Sequence, residues 1–208
     1  MTITQNKKRV QKIIWILARL FPDASGTELQ YKKPWQLLIA VILSAQCTDK
    51  KVNEVTRKLF LKYTTLASVA RATQSEFEKD IYSTGFYRSK TKNILAMAKI
   101  LQKKFGGKVP RTMKDMLTLP GVARKTANVV LGNLYNVIEG ITVDTHVIRL
   151  SWQLGLTSHA NPVKIEQDLM RIVQKKEWPR FSNLLVLYGR YLCPARRHDH
   201  MKCPLANI

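Results

Sequence analysis

The sequence has few cysteines and no apolar segment long enough to cross a membrane as a helix. Its 208 residues include only Cys47, Cys193 and Cys203, an odd and sparse set that does not fit the disulfide framework of a secreted protein. The longest wholly apolar run, Leu37 to Leu43, is well short of the roughly 20 residues that a spanning helix needs. These absences predict a protein of the reducing cytoplasm without a membrane role.

Acidic residues are also scarce. There are 14 Asp and Glu against 35 Lys and Arg, so the net charge is +21, in a chain whose 45% hydrophobic content is that of an ordinary globular protein. A compact body with this much positive charge repels itself unless it faces a polyanion, of which nucleic acid is the commonest. Local clusters such as Arg88, Lys90 and Lys92 indicate solvated helix faces, and only the whole-chain excess favours a nucleic-acid partner over a basic protein without one.

Strict alternation of apolar and polar residues is almost missing, whereas apolar residues recur at intervals of three and four, so the pattern predicts an all-α fold. Helix starts are indicated by Thr73 with Glu76, by Asn161-Pro162 and by Pro179. We expect about ten helices, most of them about 8–16 residues long, and no strand.

Residues 117–130 (LTLPGVARKTANVV) combine a helix end, a Pro-Gly turn and a new helix start, the pattern of a helix-hairpin-helix. Backbone N–H groups at the start of the second helix have no intrahelical partner, and the helix dipole is positive there. Glycine lets a phosphate approach the main chain. The motif therefore predicts DNA contacts at Gly121, Ala123 and Arg124, but it gives no information on catalysis.

Lys125 follows Arg124 in the first turn of that helix. The cationic neighbour and the helix start both disfavour protonation of its amine, and a neutral amine is a nucleophile that can form a Schiff base with a sugar carbon. The spacing alone does not exclude the alternative that Lys125 only forms an ion pair with a phosphate.

Asp144, in Val143-Asp144-Thr145-His146, stands where a helix N-cap is expected. A cap carboxylate is held ionised by the helix N-terminus and can stabilise positive charge that develops on a deoxyribose ring. A cap with no other role is the alternative.

Three segments, in this order, resemble the endonuclease III family of helix-hairpin-helix DNA glycosylases and abasic-site lyases. They are residues 43–49 (LSAQCTD), 119–130 (LPGVARKTANVV) and 143–146 (VDTH), with 188–193 (YGRYLC) near the end. The resemblance covers nearly the whole chain. It implies that Lys125 is the Schiff-base nucleophile and that Asp144 is the catalytic carboxylate.

The resemblance also implies a two-lobed all-α fold. Residues 27–137 would form a six-helix barrel domain that contains the hairpin, and 1–26 would pack with 138–208 in a second domain. DNA would lie in the cleft between the lobes, with Lys125 and Asp144 on opposite walls.

Two further DNA contacts are implied by the resemblance. Gln46 would enter the gap left in the duplex when the damaged nucleotide is turned out, although by itself it reads as an ordinary helix-end glutamine. Phe86 falls where the family has an apolar wedge residue, usually leucine, and an aromatic ring there can stack between bases. Without the resemblance, Phe86 would more often be a core residue.

The implied activity is base excision repair by a bifunctional enzyme. It would remove oxidised pyrimidines from double-stranded DNA and cut abasic sites by β-elimination, as a monomer. A mismatch-specific (G·T or G·U) glycosylase would share the catalytic residues, and a module that only binds distorted DNA would need neither Lys125 nor Asp144.

Two positions depart from the family pattern. Ala123 replaces the second glycine of Gly-Val-Gly, and we expect weakened phosphate geometry rather than lost binding, because alanine can adopt helical angles and still presents its N–H.

The second departure concerns a [4Fe–4S] cluster that the family commonly holds through four cysteines. Cys193 and Cys203 occupy the first and third places, His200 stands in the second, and the sequence ends at Ile208 before a fourth. Because this cluster needs four thiolates, we predict no cofactor, no metal and a C-terminal segment that packs without either. A zinc site formed by Cys193, His198, His200 and Cys203 is the alternative, since these residue types suit zinc, although the tight spacing and terminal fraying oppose it.

Overall fold

The computed structural model describes residues 3–24 and 26–208, and the regular structure within these ranges is helical, without strands. This confirms the predicted all-α class. The α-helices are α1 (Ile3–Leu20), α2 (Pro34–Leu43), α3 (Asp49–Lys62), α4 (Leu66–Arg71), α5 (Gln74–Ile81), α6 (Tyr87–Phe105), α7 (Met113–Met116), α8 (Arg124–Tyr135), α9 (Thr145–Gln153), α10 (Pro162–Ile172) and α11 (Trp178–Tyr191). Short 3₁₀ helices span Tyr82–Thr84, Lys175–Glu177 and His200–Lys202.

The local helix-start signals are found where the sequence places them. The Thr73 side chain accepts a hydrogen bond from the Glu76 N–H at the start of α5. Asn161 caps α10 with Pro162 in its first turn, and Pro179 lies in the first turn of α11. Most of the described α-helices have 8–16 residues, as expected; α1 and α6 are longer, with 18 and 19 residues, because no glycine or proline interrupts either segment.

The chain divides into two compact units. We call Thr27–Val137 the hairpin unit, and Met1–Gly26 together with Ile138–Ile208 the terminal unit. The core of the hairpin unit is built around α2, in which every residue from Trp35 to Leu43 is buried. This helix contains the long apolar run of the sequence and packs against α3, α6 and α8, as expected of a helix that is hydrophobic on all sides.

The terminal unit has its own core. Val10, Ile13 and Leu17 form the buried stripe of α1, which packs against α10 and α11, and α9 packs against α11. Within the described residues, no helix combines the length and the apolar character needed to span a membrane.

Candidate active site and nucleic-acid interface

The turn of the hairpin requires glycine at position 121. Leu119 and Val122 are buried and fix the turn to the core of the hairpin unit. Gly121 has φ +77°, and a Cβ at this position would lie 2.9 Å from the Cβ of Asn93 in α6. Both the backbone conformation and the lack of space exclude a side chain, and the main chain at Gly121 is exposed.

Ala123 is the N-cap residue of α8. Its backbone is extended, with φ −91° and ψ 172°, because this residue lies one position before the helix. Its methyl side chain has no acceptor atom and therefore does not cap the helix start. The first N–H groups of α8 thus lack a side-chain cap and, with the positive end of the dipole, are suited to bind a phosphate.

Lys125 is the second residue of α8, and its side chain is exposed. It follows the half-buried Arg124. Among the residues that the structure describes, no carboxylate pairs with the Lys125 ammonium group. The amine is therefore accessible to a substrate and lies beside the uncapped start of α8.

Gln46 and Phe86 are both exposed, and both have left-handed backbones, with φ 53° and 48°. Such a conformation is uncommon for residues other than glycine and is found preferentially at functional sites. Phe86 is 64% exposed and is the N-cap residue of α6, so the core interpretation of this aromatic residue was wrong. Each side chain is presented at a sharp turn between two helical segments.

Lys90 links the backbones that lead to these two turns, and sequence reasoning missed it. It is only 4% exposed, not on a solvated face, and burial lowers the pKa of its amine. Its ammonium group donates to the carbonyl oxygens of Leu43 and Thr84, each at 2.8 Å. A signal was present in the sequence, because Lys90 lies on the buried stripe of α6 with Ile94 and Met97.

We expect Lys90→Met to lower the free energy of unfolding by about 2–4 kcal/mol, because two buried carbonyl groups lose a charged donor. Lys92→Met is the matched control: Lys92 is exposed on the same helix, and its replacement should change stability by less than about 0.5 kcal/mol. Urea denaturation measures both. Equal effects of the two substitutions would show that the buried ammonium does not hold the two segments.

Asp144 is the N-cap residue of α9, as the sequence predicts. Its carboxylate accepts a hydrogen bond from the Val147 N–H at 2.9 Å and is half-buried. The segment before it is fixed by α11, since the Ser182 hydroxyl donates to the Thr142 carbonyl. A Cβ on Gly189 of α11 would lie 2.6 Å from the His146 ring, so glycine permits the close approach of these two helices.

The C-terminal cysteines and histidines lie together in the terminal unit. The donor atoms of Cys193, His198, His200 and Cys203 are all within 4.8 Å of one another. Burial and the neighbouring Cys193 raise the pKa of the Cys203 thiol. Two of the four donors are imidazoles, so this set does not fit a [4Fe–4S] cluster, which needs a thiolate on each iron.

Comparison with known proteins agrees with these motifs. Residues 39–175 match the model of the HhH-GPD superfamily of base excision DNA repair proteins. The chain is 46% identical to endonuclease III of Synechocystis sp. over 206 residues, which are 99% of this chain and 94% of the relative. Identity to endonuclease III of Bacillus subtilis is 40%, over 98% of this chain and 92% of the relative. The chain belongs to the endonuclease III family.

Solved structures extend the comparison to the fold. A trapped covalent intermediate of an endonuclease III with DNA matches with a TM-score of 0.91 and 41% identity, over 99% of this chain and 94% of that chain. A thermostable thymine-DNA glycosylase matches with a TM-score of 0.82 at 21% identity, over 95% of this chain and 94% of that chain, which shows a shared fold. This endonuclease III family member is a DNA-binding base excision repair enzyme, a DNA glycosylase with abasic-site lyase activity.

Proposed function

We propose that the enzyme removes oxidised pyrimidines from duplex DNA and cuts the abasic site by β-elimination, with Lys125 as the nucleophile and Asp144 as the catalytic carboxylate. The observation that carries this proposal is the exposed amine of Lys125 in the first turn of an uncapped helix, directly after the Gly121 turn. We further propose that it acts as a monomer in the cytoplasm, where its free cysteines remain reduced.

DNA binding in this proposal begins with the phosphate backbone. Main-chain N–H groups at Gly121 and Ala123 and the side chain of Arg124 contact phosphates beside the lesion. The net charge of +21 makes affinity steeply salt-dependent, with a slope of about −0.9 per phosphate neutralised. Raising the salt concentration therefore weakens binding without changing lesion preference.

The target nucleotide must leave the stack before its C1′ atom can be attacked, at a cost of a few kcal/mol that is smallest for a damaged base. Phe86 inserts its ring between neighbouring bases, as apolar wedge residues do. Gln46 fills the space that the nucleotide leaves. Both residues suit this role because their turns expose them.

The proposed reaction starts at the amine of Lys125. Lys125 Nζ attacks C1′, the bond from C1′ to the base breaks, and the base leaves with a proton. Opening of the sugar ring, with protonation of its oxygen, gives a Schiff base between Nζ and C1′. Loss of a proton from C2′ then expels the 3′ phosphate, which cuts the strand. The Asp144 carboxylate stabilises the positive charge that develops on the sugar as the base departs.

A panel of duplexes tests the substrate class. Each duplex carries one thymine glycol, one G·T or G·U mismatch, or one abasic site, and strand cleavage is followed on denaturing gels. We expect cleavage at thymine glycol and at the abasic site and little at either mismatch. Preferential cleavage at the mismatches would show that mismatched bases, and not oxidised pyrimidines, are the substrate class. Binding without cleavage of any duplex would indicate a non-catalytic module.

A further inference from the structure

Four donor atoms converge where the chain leaves α11 in the terminal unit. Cys193 Sγ lies 3.6 Å from His200 Nδ1, and Cys203 Sγ lies 3.2 Å from His198 Nε2. All four donors are within 4.8 Å of one another. Zinc bonds of about 2.3 Å to sulfur and about 2.0–2.1 Å to nitrogen place tetrahedral ligands about 3.3–3.8 Å apart, so the cluster is close to the size of a single-ion site.

We propose that Cys193, His198, His200 and Cys203 bind one zinc ion in a closed, structural Cys₂His₂ site. This replaces the metal-free C-terminus expected from the sequence. Four protein ligands leave no open position for a substrate, which is the arrangement of structural rather than catalytic zinc. Donors gathered this closely surround one ion, whereas the ligands of an iron–sulfur cluster are spread over several irons.

The two histidines are only two residues apart, and they use different ring nitrogens. His198 presents Nε2 and His200 presents Nδ1 to the cluster. The other nitrogen of His198, Nδ1, lies 2.9 Å from the carbonyl oxygen of Arg196. Donation to that carbonyl fixes the tautomer with a lone pair on Nε2, and this support is typical of histidine ligands of metals.

The sulfur atoms are shielded from solvent, as in a closed structural zinc site. Cys193 and Cys203 are 0% and 6% exposed. Arg149 places Nη1 3.7 Å from Cys193 Sγ and donates through Nη2 to the Cys193 carbonyl at 2.6 Å. Two thiolates balance the charge of Zn²⁺, so the ion adds no net charge to a strongly basic chain.

Tyr188 supplies a further observation. Its side chain is 1% exposed, and its hydroxyl lies beside both cysteines and the Leu205 backbone. A metal-bound thiolate is a stronger acceptor than a thiol, so zinc binding would strengthen the interaction of this hydroxyl with the sulfur atoms.

The segment after α11 contains little regular structure. Its only regular element is the 3₁₀ helix His200–Lys202, and Cys203 and Leu205 are the buried residues that follow it. Zinc would join this segment to the end of α11 and, through Arg149, to α9. Its binding energy would then contribute to the folding of the terminal unit.

The test measures metal directly in the full-length protein. Protein expressed in zinc-supplemented medium is analysed for zinc, iron and sulfide, and the apoprotein is titrated with Co²⁺. We expect one zinc per chain and the absorption bands of tetrahedral Co²⁺ with thiolate ligands. Chelation of the zinc should lower the Tm by at least about 5 °C.

Variants assign the ligands. Cys203→Ser and His200→Asn should lose the bound zinc and the Co²⁺ spectrum, whereas Cys47→Ser, which changes the cysteine outside the cluster, should retain both. Because His200 is exposed, His200→Asn remains informative if the buried serine variant fails to fold. Iron with sulfide in the purified protein would overturn the proposal, as would folded protein that binds neither zinc nor Co²⁺. Each readout is independent of the repair reaction.

Discussion

Lys125→Ala is expected to abolish borohydride trapping on a duplex that contains one abasic site, while the variant still binds that duplex. Borohydride reduces a Schiff base to a stable amine, so the covalent complex on a denaturing gel reports the nucleophile itself. Without the amine no covalent intermediate forms, and strand cleavage should fall by more than about 10³-fold. Wild-type protein should give a covalent complex under the same conditions.

The substitution should leave the fold intact. Lys125 is exposed in a helix, where alanine is favourable, so the stability should change by no more than about 0.5 kcal/mol. Lys114→Ala is the matched control, because Lys114 is an exposed lysine of the adjacent α7 and its loss removes the same charge. The control should retain trapping. A covalent complex with Lys125→Ala would mean that another amine is the nucleophile.

Asp144→Asn separates the structural role of this residue from its chemical role. Asparagine is as good an N-cap residue as aspartate, so the hydrogen bond to the Val147 N–H at 2.9 Å can be kept while the negative charge is removed. We expect base removal to slow by about 10²–10⁴-fold, the usual contribution of a positioned catalytic carboxylate. Single-turnover release of thymine glycol measures the rate, and thermal unfolding monitors the fold.

Asp144→Ala provides the comparison. It removes both the charge and the cap, so it should show the same loss of rate together with a destabilisation of about 0.5–2 kcal/mol. Stability close to that of the wild type in Asp144→Asn, combined with the slow rate, assigns the rate effect to the carboxylate. A normal rate in Asp144→Asn would leave this residue with the capping role alone.

Local sequence patterns predicted the helices well because the interactions that start a helix involve residues close together in the sequence. Asn161 and Asp144 accept hydrogen bonds from N–H groups two or three residues later, and such contacts depend only on neighbouring residues. The apolar run at Leu37–Leu43 indicated burial, and it became the central helix of the hairpin unit. Gly121 was recognised as a turn residue, although its close approach to Asn93 involves another helix and could not be foreseen.

The surroundings of Lys90 were misjudged, and residue type alone would have misplaced Phe86, for the same physical reason. A lysine in a basic cluster is ordinarily exposed, and an aromatic residue is ordinarily buried. In the structure Lys90 is buried and Phe86 is exposed. Lys90 is buried because the carbonyl groups of Leu43 and Thr84, distant in sequence or at a turn, provide acceptors. Phe86 is exposed because its left-handed turn directs it away from the core.

The sequence by itself determined the all-α class, the family and the residue types available for chemistry, because periodicity, caps and ordered motifs are properties of neighbouring residues. Only the tertiary structure decided that Lys90 is a buried link and that Cys193, His198, His200 and Cys203 converge within 4.8 Å. The spacing of the two histidines argued against a common site until the structure placed Nε2 of one and Nδ1 of the other on the same side. Such convergence depends on side-chain direction and on contacts between segments, which spacing along the chain does not specify.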